Sequence, residues 1–357
     1  MPLPLLARNR IIEEDLRRIT AAPLPWEDLR GKTVLVTGAS GFLPAYLVES
    51  LLYLNEGGLD VRVVGLVRNE EKARVRWRHA LERPDLRLVV QDVAKPLETE
   101  ERVDFIIHAA SQASPKFYGS DPVGTLEANI LGTHHLLSLA KKHKSQGFLF
   151  FSSGEVYGQL APDQVPTKED QYGLVDPTQV RSCYAEGKRA AETMCVSYHH
   201  QYGVPAKIVR PFHTYGPGMS LDDGRVYADF VADIVHGRDI VMKSDGSARR
   251  AFCYLSDATI GFLQVLLQGD AGQAYNVGNE EMEESILGLA HRLVRLFPDK
   301  GLHVIEQPQP ALATGYLQSP IARNCPDTSK VRRLGWKPTT SIEEGFTRTV
   351  ESFHESH

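Results

Sequence analysis

The chain has 357 residues, 42% hydrophobic and 24% charged, with 29 glycines and 21 prolines. This is the profile of a folded enzyme of one large or two closely joined domains, and it excludes a disordered or fibrous chain. The formal net charge of -5 argues against a nucleic-acid partner, although local arginines can still set the field of an anion-binding pocket.

The opening residues, Met1 to Ala7, carry two prolines, and Arg8 and Arg10 follow at once. No secretory apolar region and no stretch of about 18 apolar residues is present, so no membrane partner is expected and a cytoplasmic location follows by default. Ile11 to Ile19 is amphipathic and reads as a short surface helix ending before Pro23, packed on the domain or on a neighbouring subunit. From Gly31 the pattern alternates. β-Rich runs at Lys32–Thr37, Val61–Val67, Leu86–Val90, Phe105–His108, Gly147–Ser152 and Ala206–Arg210 are separated by helical spacing at Ala45–Leu54, Val123–His143 and Ser182–Tyr202. Such alternation predicts a Rossmann-type, doubly wound parallel sheet, and continuous apolar runs such as Phe148–Phe151 suit strands covered on both faces.

After Pro211 the composition shifts. Gly, Pro and Asp crowd between Tyr215 and Gly224, followed by helical patterns near Val226–His236, Asp257–Gln268, Ser285–Leu296 and Thr340–Phe353, and an extended Ile240–Met242. The expected division is a helical extension over 1–30, a nucleotide-binding domain over 31–211, and over 212–357 a smaller substrate domain with elements returning to the first. Cys183, Cys195, Cys253 and Cys325 share no CxxC spacing, and the adjacent pairs His134-His135 and His199-His200 point apart on a helix. Neither a disulfide framework nor a metal site is expected.

Two constellations carry chemistry. Gly38 and Gly41 lie where the first strand turns into a helix, an arrangement that lets backbone N–H groups and a helix N-terminus meet a pyrophosphate, although an ordinary βα turn looks similar. Tyr184 and Lys188, at i and i+4, share one helix face. A phenol of pKa about 10 becomes a usable base when an ammonium and a nicotinamide cation favour its phenolate. Ser152-Ser-Gly-Glu155 follows the fifth strand and puts hydroxyls and one carboxylate at the sheet's C-terminal edge, the usual ligand crevice.

Thr37-Gly-Ala-Ser-Gly-Phe-Leu43 resembles the opening of extended short-chain dehydrogenases/reductases of the NAD-dependent epimerase/dehydratase family, T-G-x-x-G-[FY]-[IVL]-G, with Pro44 in place of the last glycine. Proline is tolerated early in a helix. The resemblance implies an NAD site built from Gly38, Ser40, Gly41, Phe42 and Leu43, from Asp92 and Val93 near the adenine, from Ala109, Ala110 and Ser111 under the ribose and diphosphate, and from Tyr184 and Lys188. The other reading of Asp92 is a helix cap or surface turn. The acid that holds the ribose diol after the second strand is missing. Gly65 stands near its place with Arg68 close by, either a solvated charge or a partner for the 2'-phosphate of NADP. NAD is the expected cofactor because the implied reaction regenerates it in place.

Arg181-Ser-Cys-Tyr-Ala-Glu-Gly-Lys188 and the residues after it resemble the UDP-glucuronate decarboxylase signature R-[AS]-C-Y-D-E-G-K-R-x-A-E-T. Tyr215–Val226, Asp245–Tyr254 and Leu334–Pro338 resemble further segments of that family. The likeness spans about residues 31–353. It implies Ser153 on the sugar 4-hydroxyl, Glu155 as the family glutamate, Tyr184 as base with Lys188 as its partner, and His213, Arg225 and Arg250 against the sugar or diphosphate. It also implies a UDP-linked substrate and a homodimer built on the two long helices. Gly154 replaces a serine, His213 an asparagine, Gly218 an arginine, and Asn324-Cys-Pro-Asp327 an R-x-P-D motif that Arg323 would partly replace. A decarboxylase is the first expectation, a nucleotide-sugar 4-epimerase the second, for which Gly154 would give a rotating sugar room, and a 4,6-dehydratase the third.

Overall fold

β-Branched and aromatic runs too apolar to face water on either side become the centre of the molecule. In the computed structural model, which describes residues 9–306 and 321–354, the chain opens with α1 (Arg10–Thr20) and then lays down β1 (Thr33–Thr37), α2 (Phe42–Glu56), β2 (Arg62–Val67), α3 (Glu70–Arg76), β3 (Leu86–Val90), β4 (Phe105–His108), α4 (Lys116–Ser120), α5 (Pro122–His143), β5 (Gly147–Phe151), α6 (Ser182–Tyr202) and β6 (Ala206–Pro211). Every residue of β1 and β5 is buried, as strands covered by helices on both faces require. The second half adds β7 (Thr214–Tyr215), α7 (Val226–Val235), β8 (Ile240–Met242), β9 (Arg249–Ala251), β10 (Cys253–Tyr254), α8 (Leu255–Gln268), β11 (Ala274–Val277), β12 (Glu283–Ser285), α9 (Ile286–Leu296), β13 (Val304–Glu306), β14 (Arg323–Asn324), α10 (Ser329–Arg332) and α11 (Ile342–His354).

The main sheet has seven parallel strands in the order β11-β6-β5-β4-β1-β2-β3. The order reverses between β1 and β4, and the crevice beyond their carboxyl ends is where ligands bind in open α/β sheets. Six of the strands are those expected from the sequence. The seventh, β11, is only four residues long and has Asn276 in its middle, so no apolar run marks it. Asn276 is fully buried because its side chain donates to Thr167 O at 2.8 Å and accepts from the Tyr157 hydroxyl at 2.5 Å.

α5 and α6 lie side by side over one face of the sheet, where Leu136, Leu137, Ala140, Ala191 and Cys195 join Phe148 and Phe150 in one core. α2 and α8 cover the other face. A separate core, with Tyr227, Phe230, Phe252, Leu289 and Phe346, gathers α7, α9 and α11, and there Tyr215 stacks on Phe346 at 3.8 Å. α8 and β11 belong in sequence to the second half and in space to the sheet.

The extension helix is held more deeply than a surface helix. Asn9 caps α1 by accepting from Ile11 N and Ile12 N, and Ile11, Ile12, Leu16 and Ile19 are buried against α2, α8 and α11 of the same chain. Each such side chain contributes about 1.5–3 kcal/mol on full burial. Asp15, also fully buried, accepts from Tyr254 at 2.8 Å, Arg348 at 2.8 Å and Tyr46 at 3.1 Å. Four elements thus meet on one carboxylate. The reading of Met1 to Ala7 lies outside the described residues.

Candidate active site

The turn after β1 is shaped by two glycines. Gly38 has φ +68°, and a Cβ there would stand 2.9 Å from the Ala110 Cα, so only glycine lets the end of β1 and the end of β4 come this close. Gly38 N and Ala39 N donate to Leu66 O on β2. Gly41 precedes α2, whose first turn carries Phe42, Leu43 and Pro44. Pro44 falls where a helix has no intrahelical N–H partner to lose, and the Ala45 N to Gly41 O bond is intact at 3.1 Å. The replaced glycine therefore leaves the helix start regular.

Thr37 ties this turn to β4: its hydroxyl meets His108 Nδ1 at 2.9 Å and accepts from Ala110 N at 3.1 Å. Around the same turn Ser40 Oγ and Ser111 Oγ are buried with no protein partner, while His108 Nε2 faces Gly132 of α5. Burial, and then Lys188, push the His108 pKa down to about 3, so the ring is neutral. Orphaned polar atoms beside a helix N-terminus and a cradle that a Cβ would fill are what a dinucleotide pyrophosphate requires, and the residues present fit NAD.

The adenine end is placed less simply. Asp92 Oδ1 accepts from Ala94 N at 2.9 Å, so this carboxylate caps its own turn. Val93 is a core residue, 3.1 Å from where a Cβ on Gly132 of α5 would stand. Gly65 lies inside β2, paired with Val36 and Leu88, so it cannot end the strand. The residue following the strand is Arg68, which is exposed.

Ser153, Gly154 and Glu155 follow β5 as a cap and a short 3-10 turn, in which Ser153 Oγ accepts from Glu155 N at 3.2 Å. Tyr184 and Lys188 occupy the first two turns of α6 and are 7% and 1% exposed. The Ser153 hydroxyl lies near enough to the Tyr184 phenol to favour its ionised form. Burial raises the pKa of that phenol, the nearby Ser153 hydroxyl and Arg225 oppose the shift, and Glu155 adds to it. Lys188 Nζ donates to Phe151 O at 2.6 Å, and burial lowers its pKa to about 7. In the protein alone the phenol is therefore protonated. The ammonium is turned onto a main-chain carbonyl, 5.7 Å from the Tyr184 ring centre.

Two side chains beside Tyr184 were not singled out in the sequence reading. Tyr118 stacks on Tyr184 at 4.9 Å and 18° and donates to Ala113 O at 3.0 Å. Arg181, three residues before Tyr184 in the signature, donates from Nη1 to Glu155 Oε2 at 2.9 Å, both side chains being about one-fifth exposed. Its position in the motif was the available signal. For Tyr118, in a short helix after a turn, there was none.

Arg225, Arg250 and His213 form the opposite wall. Arg225 donates to Ala113 O at 2.9 Å and to the Tyr227 hydroxyl at 3.2 Å. Arg250 donates to Arg249 O, Ala322 O and Ile321 O. His213 sits between Tyr227 and Phe252 with Nδ1 unpartnered, and burial, with Arg250 and Arg225 adding, holds its pKa well below the ordinary value. Arg323 does not replace the arginine lost at Asn324. It pairs with Glu283 at 2.7 and 2.8 Å and with Val165 O at 2.9 Å, because successive residues of β14 point to opposite faces. Gly154 gives a rotating sugar no room: the Phe212 ring would lie 3.2 Å from a Cβ there.

A Rossmann sheet with a dinucleotide cradle after β1 and a Tyr/Lys pair beside the end of β5 defines a nicotinamide-dependent enzyme. Residues 34–278 match the NAD dependent epimerase/dehydratase family, and the chain belongs to it. UDP-glucuronic acid decarboxylase 6 of Arabidopsis thaliana is 36% identical over 322 residues, covering 90% of this chain and 88% of that protein. UDP-glucuronic acid decarboxylase 1 of Danio rerio is also 36% identical, over 90% of this chain and 72% of that one. Among solved structures, UDP-glucose 4-epimerase of Thermotoga maritima superposes with a TM-score of 0.76 at 23% identity, covering 91% of this chain and 99% of that one. UDP-glucuronic acid 4-epimerase of Bacillus cereus does so at 0.75 and 22%, covering 91% and 100%. At these identities the two structures speak for the fold.

Proposed function

We propose that this chain decarboxylates a UDP-linked uronic acid through a 4-keto sugar. The coarser statement is plain: it is an NAD-dependent enzyme that modifies nucleotide sugars. The observation that carries the finer reading is the Glu155 carboxylate two residues from Ser153, whose hydroxyl lies near the Tyr184 phenol, in a chain similar over most of its length to the decarboxylases.

In this reading Ser153 binds the sugar 4-hydroxyl and Tyr184 takes its proton. Lys188 holds cofactor ribose hydroxyls and, as a cation, favours the phenolate. Bound NAD supplies the acceptor, and later the donor, of the C4 hydride. A 4-keto-uronate is a β-keto acid and loses CO2 readily. Glu155 positions the sugar or handles a proton at C5. Tyr118 holds the Tyr184 ring by stacking. Arg225 and Arg250, with forks fixed by carbonyls, present charge to the diphosphate, and His213 faces the sugar as a neutral ring. Incubation of the protein and NAD with UDP-glucuronate, followed by mass detection, tests the reading. Loss of CO2 to give a UDP-pentose is expected, and an isomer of unchanged mass would make the chain a 4-epimerase.

The proposal includes a homodimer through α5 and α6, where Val123, Leu131, Val196 and Tyr202 are apolar and exposed. Sedimentation at 39.7 kDa alone would count against it. A cytoplasmic location is the reading that goes with four buried free thiols. Among the described residues no helix is long and apolar enough to cross a membrane.

A further inference from the structure

The geometry points to Arg181 as the residue that lets this site accept an anionic sugar: it neutralises Glu155 so that a substrate carboxylate can lie beside it. The inference rests on the uronate reading above and names the residue that determines that preference.

The argument begins with distances along the sugar. If Tyr184 takes the proton of the 4-hydroxyl, a C6 carboxylate is two bonds from C4. It must then come to rest close to Tyr184 and the Ser153 hydroxyl near it. Glu155 is two residues from Ser153, and its own N–H is bonded to Ser153 Oγ at 3.2 Å. The Glu155 side chain is tied to Arg181 beside the Tyr118–Tyr184 stack, so the two carboxylates share one partly buried corner, where like charges disfavour each other far more than in water.

A cation has to stand there, and the hydrogen bonds described for the other arginines of the wall go to groups other than Glu155. Arg225 is held by Ala113 O and Tyr227, Arg250 by three main-chain carbonyls, and Arg323 by Glu283 outside the corner. Arg181 is the arginine on Glu155, at 2.9 Å, and it lies 5.8 Å from the ring of Tyr118, which is itself stacked on Tyr184. The position follows from the helix. Arg181 is the cap residue of α6, so its guanidinium is set one turn before Tyr184 by the same element that sets the base. Arg181 is a positioning and charge-matching residue rather than a catalytic one.

The test is calorimetric binding of UDP-glucuronate and UDP-glucose to the NAD-loaded protein. Wild type should favour UDP-glucuronate by about tenfold or more, the order expected of one partly buried charge contact. Arg181→Gln should lose that preference through weaker UDP-glucuronate binding, with UDP-glucose and NAD binding within about threefold of wild type. Arg181→Lys should restore part of it. Adding Glu155→Gln to Arg181→Gln should recover most of the UDP-glucuronate affinity, since the charge to be neutralised is then gone. Unchanged preference in Arg181→Gln, equal loss of both sugars, no recovery in the double variant, or a wild type without preference would each overturn the inference. Release of CO2 is scored separately. A wild type that prefers UDP-glucuronate without decarboxylating it refutes the proposed reaction and leaves the role of Arg181 standing.

Discussion

The two walls of the cleft are prepared in opposite ways. On the cofactor wall Ser40 Oγ and Ser111 Oγ are buried without protein partners. On the facing wall Arg225 and Arg250 already donate to the carbonyls of Ala113, Arg249, Ile321 and Ala322. Unpaired buried polar atoms are unfavourable by about 1–3 kcal/mol each, and a bound dinucleotide relieves them. A guanidinium fixed by carbonyls loses little further freedom on meeting an anion. One wall thus gains stability when its ligand arrives, and the other is rigid beforehand. The difference predicts that NAD raises thermal stability strongly and a nucleotide sugar less.

The largest effect expected from a single substitution is at the junction of the walls. Tyr184→Phe keeps the ring stacked on Tyr118 and removes the hydroxyl that lies near Ser153. Turnover should fall by about 10² to 10⁴ while NAD binding stays within a few-fold. Fast single-turnover absorbance at about 340 nm in this variant, reporting hydride transfer, would remove Tyr184 as the base.

Gly38→Ala attacks the cofactor wall alone. The new Cβ meets a backbone atom, Ala110 Cα at 2.9 Å, at φ +68°, and left-handed backbone costs a non-glycine residue about 1–2 kcal/mol before any clash. Weaker NAD binding by about tenfold or more and a lower melting temperature are expected. Equal NAD affinity would show that the turn does not hold the pyrophosphate.

Lys188 gives a smaller, pH-dependent effect. Its folded pKa is lowered to about 7 by burial, while the unfolded chain keeps the ordinary value of about 10.4. Between these values the unfolded state binds more protons, so this group makes stability rise with pH, by up to about 1.4 kcal/mol per pH unit. Below about pH 7 both states are protonated and the dependence vanishes. Denaturation midpoints of wild type and Lys188→Met, compared from about pH 7 to about pH 10 (the span between the two pKa values), should diverge in slope. Parallel curves would place the ammonium in contact with water.

The same contrast explains what the sequence made legible. The cofactor wall is a backbone feature, and Gly38, Gly41 and the strand before them display it as spacing. β11 was missed because a four-residue strand held by the hydrogen bonds of Asn276 has no hydrophobic signature. The depth at which α1 is buried was hidden because Asp15, a charge in an amphipathic run, reads as solvated until Tyr46, Tyr254 and Arg348 converge on it from 31, 239 and 333 residues away. On the substrate wall the residue types were visible but their directions were not. Arg225 and Arg250 could be named, but not the carbonyls that hold them, and Gly154 looked like open space until Phe212 filled it.

Arg323 is where direction matters most, and it gives the smallest expected effect. By sequence it stands next to Asn324, where the related motif has its arginine, and it would be the natural substitute. In space, β14 runs beside β9, which carries Arg249 and Arg250, and alternation along the strand sends Arg323 to Glu283 and to Val165 O. Arg323 is 39% exposed as a side chain, and Glu283 also accepts from Arg249, so the carboxylate keeps a partner if Arg323 is removed. A surface ion pair of this kind contributes about 0–1 kcal/mol. Glu283 has its pKa lowered, first by Arg323, so any stability the pair supplies is present above the ordinary carboxylate range and is lost as pH falls through the folded pKa. Arg323→Met should therefore leave KM for the nucleotide sugar and kcat within about twofold, and shift stability by no more than about 1 kcal/mol near neutral pH. The shift should disappear in acid. If instead KM for UDP-glucuronate rose while stability held, Arg323 would have to leave Glu283 and reach the sugar in the bound state. The wall described as rigid would then be the one that moves.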